Sequence, residues 1–132
     1  MSQAINPNNV EEWAIEKHVG VFSRLLVEGQ NITVLWTRWE PGASAPEHTH
    51  PHEQVAVVLE GALIFTVNGE ECVVSAGEFI HIPSNAPHAE RNTGQVPAVL
   101  TDFFSPVRSD LHERRFQAQI LKESGNTQSL SG

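Results

Sequence analysis

The chemistry of this chain gathers in one short run, His48-Thr49-His50-Pro51-His52-Glu53-Gln54. On an extended segment His48 and His50 stand two apart and project from one side, because strand side chains alternate with period two. Gln54 lies four residues beyond His50 and has the same parity. A fourth candidate, His88, follows Pro83-Ser84-Asn85-Ala86-Pro87 much later in the chain. Three imidazoles and an amide oxygen that converge make a coordination shell for one divalent metal, with positions left open for water or substrate. A lone His-x-His on a strand edge is also a common surface pattern, so the surrounding elements must separate the two cases. His52 shares the ligand parity, but it follows Pro51, whose fixed φ turns it toward a rim position. Glu53 reaches the site only if a bulge at Pro51 brings it inward. His81, near a strand end, reads as an edge residue.

The elements around this run are those of one small domain. With 132 residues, the chain can bury about two-thirds of its unfolded surface without cross-links. A net charge of −8 argues against nucleic acid and anionic membrane as partners, since both are held mainly by Lys and Arg. A small anionic partner requires arginines focused inside a pocket. Arg38, Arg91 and Arg108 are the candidates. The single Cys72 has no intrachain partner and suits a reducing compartment. The polar N-terminus lacks an apolar leader core, and no run approaches a membrane span, so a cytoplasmic protein is expected.

Residues 1–20 read as an arm in which Val10 to Ile15 fits either a helical turn or an edge strand, with Trp13 as an anchor on the body. From residue 21 to 108 the pattern is all-β. Strands are expected at Phe22 to Val27, Ile32 to Trp39, Gln54 to Leu59, Leu63 to Val67, Glu71 to Val74, Phe79 to Ile82 and Ala98 to Phe104. Asn68-Gly69 between two strand-like runs is a strong hairpin signal, because both residues tolerate positive φ. The strand beginning at Gln54 is apolar on both faces and is expected to be covered on both. Short strands ended by Gly, Pro or Asn point to a β-sandwich or barrel. The tail, residues 109–132, suits a marginal helix from Asp110 to Lys122, capped by Ser109 or Asp110. Its last residues, from Ser124, have the composition of a disordered segment.

Two spaced motifs then point to a family. Gly42-x5-His48-x-His50-x3-Gln54-x6-Gly61 resembles the first cupin motif, and Gly77-x5-Pro83-x-Asn85-x2-His88-x3-Asn92 resembles the second. Gln54 stands where the usual glutamate ligand would be, and Asn85 replaces a glycine. The resemblance implies a single jelly-roll β-barrel in a homodimer, holding one divalent transition metal (Zn, Ni, Fe, Co or Mn). A further stretch, Asp102-x-Phe104-Ser105-Pro106-x-Arg108, resembles the KdgF branch of cupins, which opens the ring of 4,5-unsaturated uronates. Carried over by motif, the metal ligands are His48, His50, Gln54 and His88, and the active-site residues are Asp102, Phe104 and Arg108. The implied partner is a small anionic substrate, a sugar acid.

The chemistry of the residues agrees with that implication. Asp102 and Phe104 share parity on one strand, so a carboxylate that moves protons and an apolar wall can face the same interior. Arg108 can hold a carboxylate with a bidentate fork. An amide at position 54 leaves a divalent site at charge +2, which favours Lewis-acid over redox work. Two other readings keep the same site: an isomerase or cyclase of secondary metabolism, and a non-catalytic binding cupin. An inward-facing Asp102 separates the enzymes from the binder.

Overall fold

Inward and outward side chains alternate almost without break from Val21 onward, and this alternation builds two facing antiparallel sheets. The computed structural model describes residues 3–15 and 17–131. A 3-10 turn at Pro7–Asn9 opens the chain. Its strands are β1 (Trp13–Ala14), β2 (Val21–Glu28), β3 (Thr33–Trp39), β4 (Ser44–His48), β5 (Glu53–Glu60), β6 (Ala62–Val67), β7 (Glu70–Ser75), β8 (Phe79–Ile82), β9 (His88–Arg91) and β10 (Ala98–Ser105). One sheet has the order β1-β2-β3-β10-β5-β8 and the other β4-β9-β6-β7. A single helix, α1 (Ser109–Ser131), follows the last strand. This is the all-β jelly roll expected from the motifs.

The main core lies between the sheets. Val58 and Ala56 of β5, Leu63 and Phe65 of β6, Ile82 and Leu100 are all almost completely buried there. A second cluster of Trp13, Leu25, Leu35, Phe104 and Leu111 closes one end of the barrel. It joins the arm and the helix to the sheets. Of the two arm conformations left open by the sequence, the edge strand forms: Trp13 pairs with Ser23 on β2. Glu12 reinforces the attachment by accepting from Arg38 at 2.6 Å and from Arg24 at 3.1 Å.

Two turns show local sequence fixing register. Asn68 and Gly69 both have positive φ, 51° and 81°, and join β6 to β7 with Val67 opposite Glu70. At Gly61 (φ 71°) an added Cβ would lie 2.6 Å from the Pro97 carbonyl oxygen, so the close approach of two chains demands glycine.

One expectation is corrected. The strand β5 was expected to be covered on both faces, but only Ala56 and Val58 are fully buried, while Val55 and Val57 on the outer face are half-buried. Among the described residues no sheet or helix packs over that face as the second sheet packs over the inner one. The helix α1 continues from Ser124 as far as Ser131. Among the described residues no helix is long and apolar enough to cross a membrane.

Candidate metal centre and adjoining cavity

The histidine run is two strands of different sheets. His48 ends β4, and Gln54 is the second residue of β5, so the chain crosses from one sheet to the other at Thr49–His52. Parity along one extended segment therefore explains only part of the convergence. The rest follows because both sheets turn their inner faces to the same interior. His88 opens β9, where it pairs directly with His48.

The ligand-type nitrogens of His48, His50 and His88 all lie within 4.8 Å of one another. Each ring is oriented by its other nitrogen. His48 Nδ1 lies 2.8 Å from the Pro46 carbonyl, His50 Nδ1 3.0 Å from that of His52, and His88 Nδ1 2.9 Å from that of Ala86. A carbonyl can only accept, so each Nδ1 carries the proton and each Nε2 keeps a bare lone pair. His88 Nε2 is buried with no hydrogen-bond partner. Gln54 Oε1 faces His50 Nε2 at 3.1 Å, placing two lone pairs against each other. Burial lowers the His50 pKa and takes that of His88 to about 4, so both rings are neutral, as metal ligation requires. These donors fit a divalent transition ion: three imidazoles, one of them with an orphaned buried nitrogen, and an amide oxygen.

Beside them the cavity has an acidic wall. Asp102 is buried on β10 and accepts from Gln54 Nε2 at 3.0 Å; Thr37 Oγ1 is 3.5 Å from its other oxygen. Burial raises the Asp102 pKa to about 6, against the opposing hydrogen bond from Gln54 and the charge of Arg108. Phe104 sets its edge against His50, with ring centroids 5.7 Å apart. The Arg108 guanidinium lies 4.8 Å above the Phe104 ring and donates to Asp110 at 2.7 and 3.2 Å. Burial is the largest influence on the Asp110 carboxyl and would raise it, but the hydrogen bond from Arg108 together with the nearby charges of Arg108 and Arg114 outweighs it and leaves the pKa below its ordinary value. Of the seven residues named from the motifs, His48, His50, Gln54, Asp102, Phe104 and Arg108 line one cavity, and His88 lies beside it in the cluster with His48 and His50.

Other candidates fall outside it. Glu53 points outward and pairs with His81 at 2.7 Å, so the inward bulge does not occur and His81 is an edge residue. His52 sits beside His50 at a ring distance of 5.6 Å, outside the converging three. Arg38 and Arg91 are not anion holders of this cavity. Both occupy outward positions of their strands, Arg38 against Phe22 and Trp36 with Glu12 and Glu40, Arg91 paired with Glu71. Alternation that turns Thr37, Trp39 and Glu90 inward turns these two arginines out.

Three cavity residues escaped the sequence reading. Glu90 is buried, and its pKa is raised to about 8 by burial and then by the charge of Asp102. It lies 3.8 Å from His88 Nε2, but with both groups neutral near pH 7 this contact is not an ion pair. The parity argument applied to His48 and His50 would have found it, since Glu90 stands two residues past His88. His18 of the arm, whose ring centroid is 6.3 Å from that of His48, and Thr37 carried no such signal. The cavity measures about 930 Å³. Its far wall, between arm and helix, carries the apolar residues Trp13, Ile15, Leu111, Ala118 and Leu121 among charged ones such as Lys17, Glu113 and Arg114.

A two-sheet antiparallel barrel that gathers three imidazoles at one end of its interior defines a class of small jelly-roll proteins able to hold a metal ion. The chain belongs to the cupin domain family, which matches residues 35–104. Pectin degradation protein KdgF of Dickeya dadantii is 25% identical over 92 residues, which is 69% of this chain and 83% of that protein. Tetracenomycin polyketide synthase protein TcmJ of Streptomyces glaucescens is 35% identical over 68 residues. That match covers 51% of this chain and 46% of the relative, so the chain spans less than half of the relative's length. The structure of KdgF from Halomonas sp. superposes with a TM-score of 0.77 over 84% of this chain and 99% of that one. At 20% identity this likeness concerns the fold.

Proposed function

We propose that the protein is a metal-dependent cupin enzyme that opens the ring of a 4,5-unsaturated uronate by redox-neutral tautomerisation. The observation that carries this reading is the placement of Arg108 and Asp102 against the Gln54–His50 edge of the imidazole cluster. An anion held by Arg108 would thus have its reactive carbons beside a carboxylate. His48, His50, Gln54 and His88 would hold the metal, which supplies Lewis-acid polarisation of a substrate oxygen. Arg108 holds the substrate carboxylate by the donor atoms that Asp110 leaves free. Phe104 supplies an apolar wall that fixes the ring plane. Asp102 takes the proton of the anomeric hydroxyl as the bond from anomeric carbon to ring oxygen breaks. The resulting enolate becomes a ketone when that proton is delivered from Asp102 to the neighbouring carbon, so no electrons are gained or lost. The similarity to KdgF of Dickeya dadantii supports the same substrate class. Metal-loaded protein mixed with 4,5-unsaturated galacturonate should remove the ring-alkene absorbance. An unchanged spectrum at stoichiometric enzyme would overturn the assignment.

One observation favours a second reading, a cyclase or isomerase acting on a larger apolar ring system. The apolar wall under α1 and the cavity volume, near the upper end of the ~300–1,000 Å³ usual for ligand sites, exceed what one sugar acid needs. The tetracenomycin relative supports it. A second copy of the chain is the partner we propose for the outer face of the six-stranded sheet. There Val55, Val57 and Phe103 are half-buried and Phe79 is 68% exposed. Cys72, free and exposed, supports a reducing cytoplasmic setting.

A further inference from the structure

Gln54 departs from the family's glutamate at the same place where Asp102 meets it, and the two facts have one explanation. Gln54 on β5 and Asp102 on β10 are diagonal neighbours on the inner face, since Phe104 is paired with Gln54 and Asp102 with Ala56. A carboxylate only accepts, so the amide nitrogen of Gln54 must face Asp102, as it does at 3.0 Å. That contact leaves the amide oxygen no choice of direction: it points into the imidazole cluster, 3.1 Å from His50 Nε2. Asp102 is held in turn. Trp39 Nε1 donates to Thr37 Oγ1 at 3.0 Å, which leaves the Thr37 hydroxyl hydrogen free to point at Asp102 Oδ2. Trp39, Thr37, Asp102 and Gln54 are all buried, so no bulk water competes for these positions.

We infer that Asp102 is a positioning residue for the metal centre, which turns the Gln54 amide so that its oxygen serves as a ligand, with Thr37 holding Asp102 in place. The inference rests on the proposed metal site. It also explains the departure from the motif. A glutamate at position 54 would set two carboxylates about as close as the present 3.0 Å contact, so glutamine here and aspartate at 102 form a matched pair. In Asp102→Asn the new amide can present its nitrogen to Gln54, and Gln54 then turns its own nitrogen toward the cluster and loses its ligand oxygen. Replacing both residues, as in Gln54→Glu with Asp102→Asn, restores one donor, one acceptor and a ligand oxygen.

The test is Zn²⁺ affinity of the metal-stripped full chain, read by competition with a chromophoric chelator, with the visible spectrum of the Co²⁺ form as a second readout. Asp102→Asn should weaken Zn²⁺ about 10- to 100-fold, the usual cost of losing a group that orients a ligand. Gln54→Glu alone should also bind more weakly than the double variant, whose affinity and Co²⁺ spectrum should return close to the parent's. If the double variant shows only the sum of the two single effects, the pairing is wrong while the metal site stands. If the parent itself takes up no Zn²⁺, or His88→Ala binds it equally well, the metal reading falls and the inference with it. Should Asp102→Asn fail to fold, Thr37→Val supplies the same test in weaker form. Unaltered Zn²⁺ affinity and Co²⁺ spectrum in that variant would count against the chain of contacts.

Discussion

His48 and His88 are register partners across the β4–β9 pair, and their imidazole centroids lie 4.1 Å apart at an interplanar angle of 58°. A contact of this kind between two rings, with their Nδ1 atoms bound to backbone and the buried Nε2 of His88 unpartnered among the described residues, gains most when a cation is shared. Replacing either histidine by alanine should therefore abolish bound metal and turnover together. Added Zn²⁺ should raise the melting temperature of the parent, by about 2.7 kcal/mol of stabilisation at a hundredfold excess over Kd, and leave His88→Ala unchanged. Stoichiometric metal in purified His88→Ala, measured by elemental analysis, would defeat the ligand assignment.

Arg108 is shared between Phe104 and Asp110, and this sets the sign of two substitutions. Arg108→Lys keeps the charge but loses the planar fork, so KM for an anionic substrate should rise about tenfold with a smaller change in kcat. Asp110→Asn removes the competing carboxylate and should lower KM. Steady-state kinetics on the unsaturated uronate decides it. A raised KM in Asp110→Asn would mean that Asp110 holds the arginine in its working position and does not compete for it.

Asn85 tests the second departure from the motif. It adopts φ 65°, the left-handed region that glycine takes freely, and its backbone N–H donates to the His50 carbonyl at 2.9 Å. Asparagine tolerates that region where branched residues do not. Asn85→Gly should change stability by less than about 1 kcal/mol, whereas Asn85→Val should lose about 1–2 kcal/mol and weaken metal binding through His50. Equal urea midpoints for the two variants would remove this account.

The arm should detach in acid. The hydrogen bond from Arg38 outweighs burial and holds the Glu12 pKa below its ordinary 4.5, with a further lowering by Arg24. The folded pKa is thus depressed, and between the two pKa values the unfolded chain binds more protons. The stabilisation is complete above pH 4.5 and disappears as pH falls through the folded value. Glu12→Gln should melt lower than the parent at pH 7, and the gap should narrow as the pH falls below 4.5 and close once the folded carboxyl is protonated. A gap that stays constant with pH would show that Glu12 acts through packing alone.

Much of this protein was decided within short stretches of chain. β-Branched and apolar alternation placed seven strands close to where they form, Asn68-Gly69 specified its hairpin, and spaced glycines, prolines and histidines marked the family. These features depend on the φ and ψ preferences of single residues and on period-two alternation, both of which are local. The strands that carry His48 and His88 were not visible in the same way. β4 is Ser-Ala-Pro-Glu-His and β9 is His-Ala-Glu-Arg, with no β-branched residue in either. They are strands because β9 inserts between β4 and β6, and neighbours supply the hydrogen bonds that propensity does not. Glu90 and Thr37 came to the cavity by the same long-range pairing, as did the contact that turns the Gln54 amide, while His18 is carried there by the turn between β1 and β2. Which side of a strand a residue faces can be read from its neighbours in sequence. Which residue it meets depends on sheet order, and sheet order is settled only when the whole core closes.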